Sequence, residues 1–316
     1  MPDAELTGGF EAIVASGAGE PWALARAARQ GDVRAMADLC ALLTRVGFVE
    51  PALIPAAYDA AAAGWFGEAS APADLTAGTG SPHPGLWPPF WEFIDDASKM
   101  DAGAFTLRVA GLGVHVDAQF AERAGQASLS LPGVPAAVAQ GWPERFSMQE
   151  LAACPDGSLG DQFRRQITEN NFDLEVLDRD SLGLRHLPPP LDYLNARALQ
   201  CHDLWHLVGG YHLTALHETA ISAFQLAQFG HNYSAQFLAF VATKAALRRP
   251  EGAPLLFEII FSGWRHGRQT PCLLGVDWRG VWNAPAEDVR QRLGVRPYPS
   301  PFPPDLVEQL ERAGMA

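Results

Sequence analysis

The chain has 316 residues, of which 48% are hydrophobic and 19% charged, and its net charge is −13. Such a composition can bury a substantial core, and it excludes a disordered chain. A negative field repels phosphate backbones and gives no help in docking to anionic lipid, so no nucleic acid is expected as a partner.

In chain order, the N-terminus reads Met1-Pro2-Asp3-Ala4-Glu5, and the first basic residue is Arg26. A signal or transit peptide needs early Lys or Arg, so neither is expected. Residues 21–66 carry Ala, Leu, Met and Arg at helical spacing, punctuated by Gly31, Gly47 and Pro51, and predict helices. Residues 78–89 are rich in Gly, Pro and Ser and predict a loop. Trp87, Phe90, Trp91 and Phe93 lie at its end and just beyond, and are expected to pack a helix on the core. Residues 105–116 fit either a strand pair or a glycine-interrupted helix. Residues 126–143 hold Pro132, Pro135 and Pro143 and predict an irregular connection with a soft boundary.

From Phe146 helical patterns recur, at 147–153, 158–171, 192–208, 213–229, 233–247 and 253–265. Pro188, Pro189 and Pro190 predict a rigid turn before the third of these. Pro285 opens a last core helix that Gly294 stops, and the proline-rich residues 297–304 are expected to be extended. The longest apolar stretches, 237–241 and 255–261, fall short of the roughly 20 residues that a membrane span needs. The chain is therefore expected to lie on a membrane rather than to cross one. Cys40, Cys154, Cys201 and Cys272 are widely spaced, form no C-x-x-C pair and read as reduced thiols. The fold class expected is all-α.

The stretch 201–218, CHDLWHLVGGYHLTALHE, carries the chemistry. On a helix over 192–208, His202 and His206 are one turn apart on nearly the same face, with Asp203 about 100° round from His202. All three can converge on one ion, and imidazole with carboxylate suits zinc, iron, manganese or cobalt. Glu218 lies twelve residues after His206. On a continuous helix it would be about 18 Å away. Gly209 and Gly210 stand where a turn would fold a second helix back and return Glu218 to the first.

Spacing alone leaves two readings open: a metal site, or two buried histidines that are merely hydrogen-bonded. His-Asp-x-x-His also borders the zincin pattern His-Glu-x-x-His, but Asp203 is one methylene short for a general base there. A phosphohydrolase of the HD type would need further ligands; His186 and Asp277 are the nominees, and no spacing supports them. His212, His217 and His231 are expected beside the ligands or on the surface, with His217 able to replace Glu218 if the second helix is turned by one position. Arg265, His266, Gly267 and Arg268 form a basic cluster at a helix end. His266 and Arg268 are read as a carboxylate or head-group clamp, Arg265 as a solvated helix end. Leu216, Ala220, Phe224 and Ala227, followed by Phe237, Phe240 and Val241, fit core packing better than a lipid tunnel.

His202-Asp203-Leu204-Trp205-His206, then eleven residues and Glu218, resembles the signature of the Coq4 family. The segments CPDGSLGDQFRRQITENNFD (154–173), DYLNARALQCHDLWHLVGG (192–210) and SGWRHGRQTPCLLGVDWRGVWNAPAEDVRQRLGV (262–295) resemble blocks of that family in the same order. The resemblance covers about 146–296. It implies a Coq4-like metal-binding multi-helix bundle over 146–296, and it leaves outside it an N-terminal helical extension over 1–145, longer and less typical of the family, and an added proline-rich tail over 297–316. It further implies a protein of ubiquinone biosynthesis, peripheral to the cytoplasmic face of a bacterial inner membrane. The implied partners are a polyprenylated quinone precursor held in a tunnel beside the metal and other enzymes of the pathway, and the reading allows a homodimer. The implied activity is metal-dependent oxidative decarboxylation at C1 of a polyprenylated benzoate, through His202, Asp203, His206 and Glu218. The implied ion is zinc first, with iron, manganese or cobalt as alternatives. The alternative function is a non-catalytic prenyl-lipid-binding scaffold for the biosynthetic complex.

Overall fold

A computed structural model describes residues 4–96, 100 and 102–314. Among these the fold is all-α, with sixteen α-helices and no strand. The N-terminal half holds α1 (Ala4–Ser16), α2 (Pro21–Arg29), α3 (Val33–Phe48), α4 (Ile54–Phe66), α5 (Trp87–Asp95) and α6 (Ala102–Leu112). The short helices α7 (Phe120–Leu129), α8 (Val134–Val138) and α9 (Met148–Ala152) lead into α10 (Leu159–Asn170). The long helices α11 (Leu191–Gly209), α12 (Ala215–Phe229), α13 (Asn232–Arg248) and α14 (Ala253–Gln269) follow, then α15 (Ala286–Leu293) and α16 (Leu306–Arg312).

The ends of these helices follow local chemistry. Asp32 caps α3 by accepting from the Ala35 amide at 3.0 Å, and Ser158 caps α10 by accepting from Asp161 at 3.3 Å. Of the two readings of 105–116, the helix is realised, as α6. The expectation of an irregular 126–143 is corrected, because α7 runs to Leu129 and α8 occupies 134–138. Pro135 sits in the first turn of α8, where its missing N–H would have no intrahelical partner anyway, so it starts a helix instead of breaking one.

Two apolar cores share a wall. The first joins α1–α6 to one side of α13 and α14, through residues such as Phe48, Tyr58, Trp65, Phe240 and Trp264. The second joins α7–α11, α15 and the tail to α12 and the other side of α14, through Phe163, Trp205, Ile221, Phe229 and Trp278. Helices α12 and α14 contribute to both. They lie backbone to backbone. A Cβ at Gly263 would sit 2.4 Å from the Ala220 carbonyl oxygen, and one at Gly267 2.6 Å from that of Phe224. Glycine at i and i+4 of α14 is what permits that approach. Leu216, Ala220, Phe224, Ala227 and Phe240 are buried core residues. No helix among the described residues is long and apolar enough to cross a membrane.

Candidate metal centre

Helix α11 ends where the sequence places a turn. Gly210 adopts φ 74° and ψ 31°, a left-handed conformation that glycine enters without strain, and the Tyr211 amide donates back to the His206 carbonyl at 2.9 Å. Thr214 begins α12 in an extended conformation, and Glu218 falls in the first turn, where a negative charge meets the positive end of the helix. The hairpin then sets Glu218 against His202 and His206.

Three side chains converge. His202 Nε2 lies 3.1 Å from His206 Nε2 and 3.1 Å from Glu218 Oε2, and His206 Nε2 lies 3.3 Å from Glu218 Oε1. The ligand atoms of His202, Asp203 and His206 all lie within 4.8 Å of one another. Four ligands around a tetrahedral ion at about 2.0–2.1 Å stand about 3.3 Å apart along each edge. The His202–His206–Glu218 triangle already has that size. With both imidazoles deprotonated at Nε2, these side chains present lone pairs to a common point, so the residues fit a divalent ion.

The environment is asymmetric. The His206 side chain is fully buried, that of His202 is 18% exposed and that of Glu218 44% exposed, so the cluster is open on the Glu218 side. Asp203 is buried, and burial pushes its carboxyl pKa up, while Gln166 pins its backbone carbonyl at 2.7 Å. Burial also works to raise the Glu218 pKa. Hydrogen bonds and charge from His202 and His206 outweigh it and hold that carboxyl well below the usual range. For His202 burial acts to lower the pKa, but Glu218 and then Asp203 reverse it and the imidazole is pushed up.

The other histidines serve the scaffold. His217 does not replace Glu218. Its Nδ1 accepts from the His212 amide at 2.8 Å, so its Nε2 carries the proton and donates to Ser300 Oγ at 3.0 Å. Thr214 Oγ1 donates to the Pro304 carbonyl at 2.7 Å, and Glu308 of α16 accepts from the Ala215 amide at 3.0 Å. The proline-rich tail thus clamps the N-terminus of the helix that bears Glu218. His266 is buried, with Nε2 donating to the Arg296 carbonyl at 2.7 Å and Nδ1 accepting from the Tyr211 hydroxyl at 2.5 Å. Arg268 pairs with Asp59 of α4 at 3.1 Å, and Arg265 pairs with Glu68. The residues read as a head-group clamp therefore have partners within the protein.

Sequence reading passed over Gln225, whose amide lies 2.8 Å from His202 Nδ1. It stands seven residues after Glu218, two turns on along the same face of α12, and that spacing is the signal that marks it. His231 is buried beyond it, and burial first, then the nearby His202, pulls its pKa down to about 3. An unfolded histidine titrates near ~6.5, so between these values the unfolded chain takes up a proton that the native chain does not. Stability is therefore expected to fall as pH drops below about 6.5, by roughly 2 kcal/mol at about pH 5 from this residue. Thermal melts of the wild type and His231→Gln between these pH values should show the shallower pH slope in the variant. Equal slopes would mean that His231 is protonated as readily in the fold as out of it.

Fold and cluster together define an all-α protein with a histidine–carboxylate site on a helical hairpin. The model of the family described as Coenzyme Q (ubiquinone) biosynthesis protein Coq4 matches residues 143–299, a segment that contains all four site residues. The chain belongs to the Coq4 family. It is 25% identical over 160 residues to the mitochondrial ubiquinone biosynthesis protein COQ4 homolog of Rattus norvegicus, a match covering 49% of this chain and 56% of that one. It is 27% identical over 174 residues to the mitochondrial ubiquinone biosynthesis protein COQ4 of Eremothecium gossypii, covering 53% and 50%. The chain spans about half the length of the curated relatives it matches. A solved structure from Nostoc punctiforme PCC 73102, described as a protein of ubiquinone biosynthesis, superposes with a TM-score of 0.51 at 25% identity, over 67% of this chain and 97% of that one. That coverage exceeds everything from 143 to the C-terminus, so part of the N-terminal helical region is common to the two folds.

Proposed function

We propose that the chain works in ubiquinone biosynthesis as a metal-dependent enzyme on the head group of a polyprenylated benzoate. The reaction would release the C1 carboxylate as CO2 and set a hydroxyl in its place, with dioxygen as oxidant and a two-electron donor carrying the second oxygen to water. The observation that carries this reading is the convergence of His202, His206 and Glu218 at 3.1–3.3 Å with one side open, inside the segment that matches the family. His202, Asp203, His206 and Glu218 would hold the ion. When bound, it would supply Lewis-acid binding of the substrate carboxylate or phenolate and stabilise charge developing on the ring. Zinc does no redox, so oxygen insertion calls for iron, manganese or cobalt, or for dioxygen meeting an electron-rich phenolate directly.

The residues of the chain divide the work. Fully buried His206 fixes the inner wall, and half-exposed Glu218 faces the side from which a head group would enter. Asp203, buried beside His202, would enter as a carboxylate, because a cation at this point offsets the burial that otherwise favours its protonated form. A prenyl tail is too apolar for water, which assigns the protein to a membrane surface and to the company of the enzymes that make and use the precursor. Zinc is the first expectation for the ion, with iron, manganese or cobalt as alternatives.

The test is binding of long-chain prenyl phenols with and without a ring carboxylate, read by native mass spectrometry and thermal shift. A bound species that is tighter with the carboxylate supports the reading. No bound species and no shift with any of them would remove the lipid substrate.

A further inference from the structure

Behind His202 runs a chain of buried polar groups that leads away from the cluster. Its far end is unambiguous. Asn195 donates its side-chain N–H to the Leu191 backbone carbonyl at 2.7 Å, and a carbonyl can only accept. The Asn195 oxygen must therefore face His231 Nε2, 3.3 Å away, and that nitrogen must carry the proton. Neutral His231 is then left with Nδ1 as an acceptor, 2.9 Å from Ser234 Oγ, so the serine hydroxyl donates to it. Ser234 has then spent its one proton and has none to donate to the Gln225 amide, whose oxygen stands 3.5 Å away on its other side. The amide group of Gln225 must turn its NH2 to Ser234 and its oxygen to His202.

The two ends of an amide are told apart by their partners, and here the partners decide. As placed, the Gln225 nitrogen is the end nearer His202 Nδ1, at 2.8 Å. A half-turn of the amide satisfies every group in the chain, whereas the placed orientation leaves Ser234 with two acceptors and one proton. Gln225 and Ser234 are both almost fully buried, so water is not there to substitute.

We infer that Gln225 is a positioning residue for the metal site: the relay Leu191–Asn195–His231–Ser234–Gln225 sets its side-chain oxygen to accept from His202 Nδ1–H. This rests on the metal reading above and deepens it. With the proton fixed on Nδ1, the Nε2 lone pair of His202 is free and aimed into the triangle with His206 and Glu218. The opposite tautomer would put a proton where the ion belongs. Among the described residues His206 Nδ1 is buried with no hydrogen-bond partner, so the relay acts on His202.

The experiment uses the full chain with Zn2+ or Co2+ as the probe. Gln225→Met keeps length and bulk but removes the acceptor, and Gln225→Glu restores an acceptor at the same place. Expected is a metal Kd weakened about 10–100-fold in Gln225→Met and recovered in Gln225→Glu, with both metal-free proteins melting within a few degrees of wild type. Nitrogen-15 spectra of the metal-free wild type should show His202 protonated at Nδ1. Equal affinity in wild type and Gln225→Met, or a neutral metal-free His202 protonated at Nε2 and not at Nδ1, would overturn the inference. If the wild type takes up neither ion, the metal reading fails instead, and the tautomer spectrum still decides the relay.

Discussion

Replacing Glu218 by Ala is expected to abolish head-group chemistry while leaving the protein folded. Glu218 supplies two of the three short edges of the donor triangle, with Oε2 at 3.1 Å from His202 and Oε1 at 3.3 Å from His206. Its side chain is 44% exposed, so little apolar packing is lost with it. What is lost is a negative charge and a ligand. An outer partner of a metal site is typically worth 10–100-fold, and a ligand itself should be worth roughly 100-fold or more in activity. In a strain lacking its own Coq4, the variant should accumulate a precursor that still bears the C1 carboxylate. Circular dichroism and a melting curve must accompany the assay, because metal binding couples to folding. Normal quinone output from the folded variant would leave the non-catalytic lipid-binding scaffold as the better account of the family's role.

Gly263→Val should produce a large loss of stability. Its first side-chain atom would stand 2.4 Å from the Ala220 carbonyl oxygen and 3.0 Å from Ala220 Cα. Both neighbours are backbone, so no side chain can swing aside; α12 and α14 must separate, and both apolar cores meet along that seam. The expected cost is about 3 kcal/mol or more, read as a melting point lowered by roughly 5–10 °C. Because α12 carries Glu218 and Gln225, metal affinity should fall with it. Gly111→Ala is the control: among the described residues nothing outside its own stretch of helix lies within 4 Å of the added atom, and the helix α6 should be unharmed or slightly steadier. Equal melting points for the two variants would show that the close approach of α12 and α14 does not hold the fold together.

Much of this was legible where the signal is local. The hairpin could be read because Gly209-Gly210 interrupts the apolar pattern between His206 and Glu218, and the helix ends because Ser158, Gly210 and Gly294 act on their own neighbours. Helix α8 was hidden because a proline reads the same in a first turn as in a loop. The basic cluster misled for a geometric reason. His266 and Arg268 are adjacent in composition, yet two positions apart on a helix means about 200° round the axis. One points into the core at Tyr211 and the other outward to Asp59. Gln225 was illegible in isolation, since its meaning comes from Asn195, His231 and Ser234, which only the packing of α11, α12 and α13 brings together.

The most direct measurement is metal content by elemental analysis of the purified chain beside a His202→Ala/His206→Ala variant. About one divalent ion per wild-type chain and essentially none in the folded double variant is the expected result. Equal metal content in the two proteins, or none in a wild type offered zinc, iron, manganese and cobalt in turn, would contradict a metal centre at this hairpin.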